Sequence, residues 1–256
     1  FIFLVSGIIY FQVNNNQEQP ASAVKSKQPA PHDILPGTHK GIITLGDGST
    51  VLLDDSATGI IAKQGNTQVV KRSSGEIVYK SSKNSDKPYI NTMTTPRGGR
   101  YQLTLSDGTK VWMNSASSIT YPASFTEPER RVKITGEVYF EVSKKDKQPF
   151  HVVINDETEI LVLGTHFNVN TYADNEAIAA TLLEGSVRII KGSEAQILKP
   201  GQQAELKNNT ISIRSGVDTN QVMAWKNGYF SFNNTGLEII MKQLARWYDV
   251  NIIYNG

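Results

Sequence analysis

Residues 100–117 read "RYQLTLSDGTKVWMNSAS", with Asp107-Gly108 between two apolar-rich runs and a cluster of small polar residues behind them. A two-residue loop here would set Leu103 opposite Trp112 and send Val111 and Met113 to the other face. A three-residue loop, Ser106-Asp107-Gly108, sets Leu103 opposite Val111 and Tyr101 opposite Met113. The second register gathers these apolar side chains on one face, and burial of one face is what fixes register. It also puts Gly108 at the left-handed position of a type I turn with a bulge, where a missing Cβ costs least. Asp107 is then a turn former rather than an acid or base. "NSAS" ends the strand with side chains that bond the backbone.

The same unit occurs sixty residues earlier. "GIITLGDGSTVLLDD" (41–55) overlays the second copy (100–115) so that Thr44, Leu45, Asp47, Gly48 and Val51 match Thr104, Leu105, Asp107, Gly108 and Val111. The register then pairs Ile43 with Val51, with Asp47-Gly48 as the turn. Further strand candidates follow at 130–142, 150–155, 158–164, 166–172, 178–190, 195–206 and 210–215, punctuated by Gly, Asn, Asp or Pro. No sustained 3.6-residue period appears between residues 40 and 220. The expected fold is mainly β: an all-β sandwich or roll of short antiparallel strands with repeated hairpins.

Both ends differ from this middle. "FIFLVSGIIYFQV" (1–13) is uncharged, and as a helix it would span about 20 Å of the ~30 Å membrane core. It reads as part of a transmembrane helix whose beginning lies upstream, since the sequence opens on Phe1. A signal-peptide core with a cleavage site near Ala21-Ser22-Ala23 is the competing reading. Residues 14–38 are rich in Asn, Gln, Pro, Ala and Ser, the composition of a flexible tether. An all-β domain is expected over 39–222. A small β-α-β unit is expected over 223–256, with strands at Tyr229–Phe232 and 250–254. Between them Leu237, Ile240, Met241, Leu244 and Tyr248 form one helical stripe, and Thr235 with Glu238 has capping-box spacing. The sequence stops at Gly256 before the partner strands such a unit needs, so the unit is expected to continue.

Composition excludes several chemistries. The 256 residues carry a net charge of +2 with Lys and Arg scattered, which gives no electrostatic case for nucleic acid. There is no cysteine, so thiol catalysis, disulfides and Cys-ligated metals are ruled out. His32, His39, His151 and His166 lack partners at ligand spacing, and no cofactor motif is present. Glu137 and Glu141 would lie roughly 13 Å apart along a strand, outside the ~5–9.5 Å of glycosidase carboxylates. "TPRGGR" (95–100) reads as a tight backbone turn, because no helix follows it to bind an anion.

The ordered set "TPRGGRYQLTLSDGTKVWMNSASSITYPASF", "RRVKITGEVYFEV", "QPFHVV", "VLGTHFNVNTY", "TLLEGSVRI" and "LKPGQQAEL" resembles FecR-like proteins, membrane-anchored anti-sigma factors and sigma regulators of Bacteroidetes type. The tail "WKNGYFSFNNTGLEIIMKQLARWYDVNIIY" resembles their C-terminal domain, which is related to the short N-terminal domain of secretins and TonB-dependent receptors. The resemblance implies no enzyme and no cofactor. It implies a single pass through the bacterial inner membrane at residues 1–13, with 14–256 in the periplasm. The implied partners are the signalling domain of an outer-membrane TonB-dependent receptor and an extracytoplasmic-function sigma factor. The sigma factor would be bound by a helical cytoplasmic segment that this sequence lacks. Phe230, Phe232, Trp247 and Tyr248 are the candidate partner-binding residues, although they could equally fill the unit's own core. Trp225 and Tyr229 could pack the two domains together. Two other classes stay open from the residues alone: a β-sandwich module binding a glycan or other ligand, and an all-β hydrolase.

Overall fold

The structure, a computed structural model, describes residues 36–53, 58–72, 76–81, 89–208 and 210–254. The apolar stretch 1–13 and nearly all of the tether lie outside the described residues. Among the described residues no helix is long and apolar enough to cross a membrane.

Among the described residues twenty strands precede two helices. In chain order the first are β1 (Thr38–His39), β2 (Gly41–Thr44), β3 (Thr50–Leu53), β4 (Gly59–Gln64), β5 (Thr67–Lys71), β6 (Ile77–Ser81) and β7 (Ile90–Thr95). Next come β8 (Gly99–Thr104), β9 (Lys110–Met113), β10 (Ser117–Pro122), β11 (Arg130–Thr135), β12 (Glu137–Glu141), β13 (Phe150–Val153) and β14 (Thr158–Val162). The last are β15 (His166–Asn170), β16 (Ile178–Glu184), β17 (Val187–Lys191), β18 (Glu194–Leu198), β19 (Gln202–Lys207) and β20 (Thr210–Ser215). Helices α1 (Thr219–Met223) and α2 (Leu237–Tyr248) follow.

The strands form two mixed sheets. One runs β20-β19-β16-β15-β12-β9-β8-β6-β5-β4, with β1 also paired to β8, and the other runs β18-β17-β14-β13-β11-β10-β7-β2-β3. They share one core. Phe140 of the first sheet meets Phe150 of the second at 5.9 Å, and Tyr79 meets Tyr121 at 5.4 Å. Strands such as β11 alternate buried and exposed along their length, the pattern of a sheet with one face on the core.

The two hairpin copies have the expected register. Tyr101 stands opposite Met113, Leu103 opposite Val111, and Ile43 opposite Val51. In each copy the glycine N–H donates back to a leucine carbonyl, Gly108 to Leu105 at 3.0 Å and Gly48 to Leu45 at 2.8 Å. Both glycines have positive φ, 90° and 86°, the conformation that favours glycine. The copies lie in different sheets: β8–β9 is central in the larger one, β2–β3 marginal in the smaller.

Three continuous strand-like runs in the sequence prove to be corners. The run 130–142 breaks at Gly136, 178–190 at Gly185, and 195–206 at Pro200-Gly201, each time passing from one sheet to the other. Each glycine has φ between 78° and 91°. At Gly136 a Cβ would meet Ser117 Oγ at 2.3 Å, so no side chain fits. "NSAS" braces this corner. Ser117 Oγ accepts from the Glu137 N–H at 2.9 Å, and Asn114 Oδ1 accepts from the Ser115 N–H at 2.8 Å.

The C-terminal expectation needs correcting in detail. The helix forms, but 229–232 and 250–254 carry no strand pairing; a ladder needs a partner edge, and neither segment has one among the described residues. The expected capping box is also not made. Gly236 occupies the N-cap without a side-chain bond, and Thr235 Oγ1 instead donates to Asn233 O and accepts from Gln221 Nε2.

A buried polar network joins the sheets: Gln64 and Asn91 exchange amide hydrogen bonds, Asn91 donates to Tyr79 Oη, and Tyr79 and Tyr121 share a bond of 2.7 Å. Burial pushes the Tyr79 hydroxyl up to about 12 and Tyr121 well above its usual value. Unfolded tyrosine ionises near ~10, so the unfolded chain gives up these protons first. Stability is therefore intact below that pH and falls as pH rises through it toward about 12. The urea midpoint should drop across this window together with the rise of tyrosinate absorbance. A flat midpoint would overturn the assignment.

Candidate functional site

The segment after β20 lies on the outer face of the larger sheet, opposite the shared core. Helix α1 is capped by Asp218, whose Oδ1 accepts from the Asn220 and Gln221 N–H groups at 3.0 and 3.2 Å. Met223 and Trp225 then pack with Tyr139, flanked by Trp112, Leu183 and Val222. Lys226 lies over the rings of Trp112 and Tyr139 at 4.2 and 4.6 Å, a cation–π arrangement. Trp225 is thus a packing residue between sheet and tail, whereas Tyr229 stays half exposed.

Phe230, Phe232, Trp247 and Tyr248 come together. Phe230 is the hub, with ring centroids 5.7 Å from Phe232, 5.5 Å from Trp247 and 6.4 Å from Tyr248. Trp247 is buried at 7% exposure, with the Arg100 guanidinium over its ring at 5.3 Å. Phe232 reaches the surface. The cluster is therefore the internal packing of the tail, with one open edge.

The tail also carries exposed apolar side chains that nothing covers among the described residues. Leu237 is 62% exposed, Ile253 82% and Tyr254 60%, and Ile239 on the helix is half exposed. Sequence periodicity grouped Leu237 with Ile240, Met241, Leu244 and Tyr248 in one apolar stripe; those four are partly buried, whereas Leu237 at the start of the helix is exposed. Helix α2 is held chiefly by contacts at its C-terminal end, where Trp247 is buried.

Those contacts come from "TPRGG". Its turn is closed by the Gly99 N–H donating to Pro96 O at 3.0 Å, with Gly98 at φ 66°. The Gly98 N–H donates to Arg246 O at 2.8 Å. Arg97 donates to Ala245 O at 3.0 Å and to Val250 O, and pairs with Asp249 at 3.1 Å. The turn thus receives the negative, C-terminal end of a helix with a cation and an N–H. From the sequence it read as a turn only, because the helix it serves lies about 150 positions later. On the other side Arg246 pairs with Asp174 at 2.7 Å and lies over the Tyr172 ring at 3.9 Å, while Lys242 donates to Asp174 O at 2.8 Å.

Asp107 proves to be more than a turn former. Its Oδ1 accepts from the Thr109 N–H at 3.0 Å and its Oδ2 from the Thr109 hydroxyl at 2.7 Å. It also pairs with Arg130 at 2.7 Å, and both side chains are at most 1% exposed. Arg130 spends its other donors on the carbonyls of Gln148, Ser143 and Leu163. Asp47 in the first copy bonds Ser49 alone among the described residues and is exposed. Hydrogen bonds from Ser49 hold its carboxyl below the usual carboxylate range.

Glu137, buried beneath the tail, accepts from Asn168 at 3.0 Å and Asn114 at 2.8 Å, and burial still pushes its carboxyl up. Glu141 faces Lys110 and Lys226 instead. His151 lies 3.4 Å from Glu159 and 3.6 Å from Glu129, two carboxylates remote in sequence that also hold Arg131. Among the described residues no three His, Asp or Glu side chains are grouped to hold a metal ion.

Comparison with known proteins agrees with this architecture. Residues 91–188 match the family described as FecR protein, and residues 229–256 match its C-terminal family, FecR, C-terminal. Two crystal structures of a candidate anti-sigma factor from Parabacteroides distasonis, at 1.65 and 2.50 Å resolution, are similar to the chain. They are 31% and 30% identical to it, each with a TM-score of 0.58 over 62% of this chain and 74% or 75% of theirs. No curated protein matches the chain. The chain belongs to the FecR-like family.

Proposed function

We propose that the chain is the periplasmic sensing part of a sigma regulator anchored in the inner membrane through residues 1–13. In this reading the tail at 223–256 engages the signalling domain of an outer-membrane TonB-dependent receptor. The signal then passes across the membrane to an extracytoplasmic-function sigma factor, bound by a cytoplasmic segment outside this sequence. The observation that carries the reading is the tail itself. It is held to the sandwich by Arg97, Arg246 and Lys242 while presenting Leu237, Ile239, Ile253 and Tyr254 outward. Several exposed apolar side chains on one short segment offer the apolar surface that a protein interaction site uses. Membership of the FecR-like family and the anti-sigma description of the similar crystal structures support the same role.

The test is binding of the full chain to a receptor signalling domain from the same organism. Leu237→Asp and Ile253→Asp should each weaken it by tenfold or more, on the scale of an interface hot spot losing about 1.4 kcal/mol or more. Both residues are exposed, so the melting temperature should stay put. Unchanged affinity in both variants, or no binding by the folded wild type, would count against the role.

A further inference from the structure

Between the outer face of the larger sheet and the tail lies a cavity of about 360 Å³, within the ~300–1,000 Å³ of small-molecule sites. Its floor is a row of polar side chains directly opposite one another on adjacent strands: Asn168, Thr181, Gln203 and Arg214. Its roof comes from the tail, chiefly Trp225, Tyr229 and Phe230. A covered sheet face lined with amides and hydroxyls is unusual, since burying polar groups is costly unless they are bonded.

The charges around this cavity are already matched. Arg214 donates to Gln203 Oε1 at 2.9 Å and pairs with Glu205 at 3.3 Å. Asp218 is occupied by the α1 N–H groups, and both oxygens of Glu137 accept amide N–H groups. Two neutral atoms of lining residues have no hydrogen-bond partner, Asn168 Oδ1 and Trp225 Nε1. Both side chains are more than nine-tenths buried. One atom needs a donor and the other an acceptor, and a hydroxyl group is both.

We propose that this cavity binds a small neutral polyhydroxyl molecule of monosaccharide to disaccharide size. Its hydroxyls bond the Asn168 carbonyl and the Trp225 indole N–H, and its apolar faces lie against the aromatic roof. Neither atom presents surface to water, so the Trp225 segment must shift for a hydroxyl to reach them. Occupancy is thereby tied to the position of the tail.

The test is calorimetric titration of the full chain, with tryptophan fluorescence in parallel. The probes are glucose, galactose, N-acetylglucosamine, maltose and myo-inositol, with gluconate and glucose 6-phosphate as charged counterparts. A neutral probe should bind with a Kd of about 1 mM or tighter. Trp225→Phe, which keeps a ring but removes the N–H, should weaken it about tenfold, and Tyr229→Ala, at a half-exposed site, should weaken it about threefold. Failure of every neutral probe, tighter binding of the charged counterparts, or binding unchanged in both variants would overturn the proposal. No partner protein enters this measurement, so its outcome is independent of the receptor-binding test.

Discussion

Asp107→Ala is expected to destabilise the protein by about 3–5 kcal/mol, the cost of leaving a buried guanidinium without its counter-ion. Arg130 cannot turn to solvent, because its side chain is fully buried and three carbonyls hold it in place. The duplicated hairpin supplies an internal control. Asp47→Ala removes the same residue type from the same turn, but there the carboxylate is exposed and, among the described residues, bonds Ser49 alone. Its urea midpoint should scarcely move. Replacing both members of the buried pair, Asp107→Asn with Arg130→Met, should recover only part of the loss, since an apolar side chain needs no counter-charge but leaves the carbonyls of Gln148, Ser143 and Leu163 without their donor. Equal effects of Asp107→Ala and Asp47→Ala would sink this account.

Trp247→Ala is expected to remove about 3 kcal/mol from the docking of helix α2, in the range of large aromatic truncations. Trp247 joins the Phe230 cluster to Arg100 on the sandwich, so its loss separates the helix from both. The effect should be local. Amide hydrogen exchange at 237–248 should quicken by about a hundredfold, while the strands that carry the common core keep their protection. Uniform loss of protection everywhere would mean that tail and sandwich unfold as one unit, and unchanged exchange would mean that Trp247 anchors nothing. Arg97→Ala should act in the same direction but less, because its guanidinium is partly exposed and water can replace it.

The sequence disclosed local geometry well and distant partnership poorly. The hairpin register was legible because side-chain alternation and Gly108 independently point to one loop length. The three corners were not, since β11–β12, β16–β17 and β18–β19 keep a strand-like pattern straight through the change of sheet. There only a glycine, with Pro200 beside it in the third, interrupts the run, and a glycine inside a strand has several readings. Asp107 looked like turn chemistry because Arg130 is 23 positions away, and nothing periodic connects them. The aromatic cluster was legible as a set of residues, but not its hub or its open edge, which depend on how the tail lies across the sheet. Leu237 shows the limit of helical periodicity, which groups the residues of one face without saying whether anything covers it.

Strand β8 is bordered on a single side by two different strands, both parallel to it. Thr38 and His39 meet Gly99 and Arg100, while Ile77 and Val78 meet Leu103 and Thr104. During synthesis β1 and β6 both emerge before the strand that joins them. Each of the two therefore waits with an unpaired edge until residues 99–104 arrive. Pairings of such long sequence separation must pay their loop-closure entropy before any contact repays it, which places folding in the slow, millisecond-to-second regime of non-local β topologies. Until β8 is in place, those early edges are where the nascent chain is open to strand pairing with another molecule.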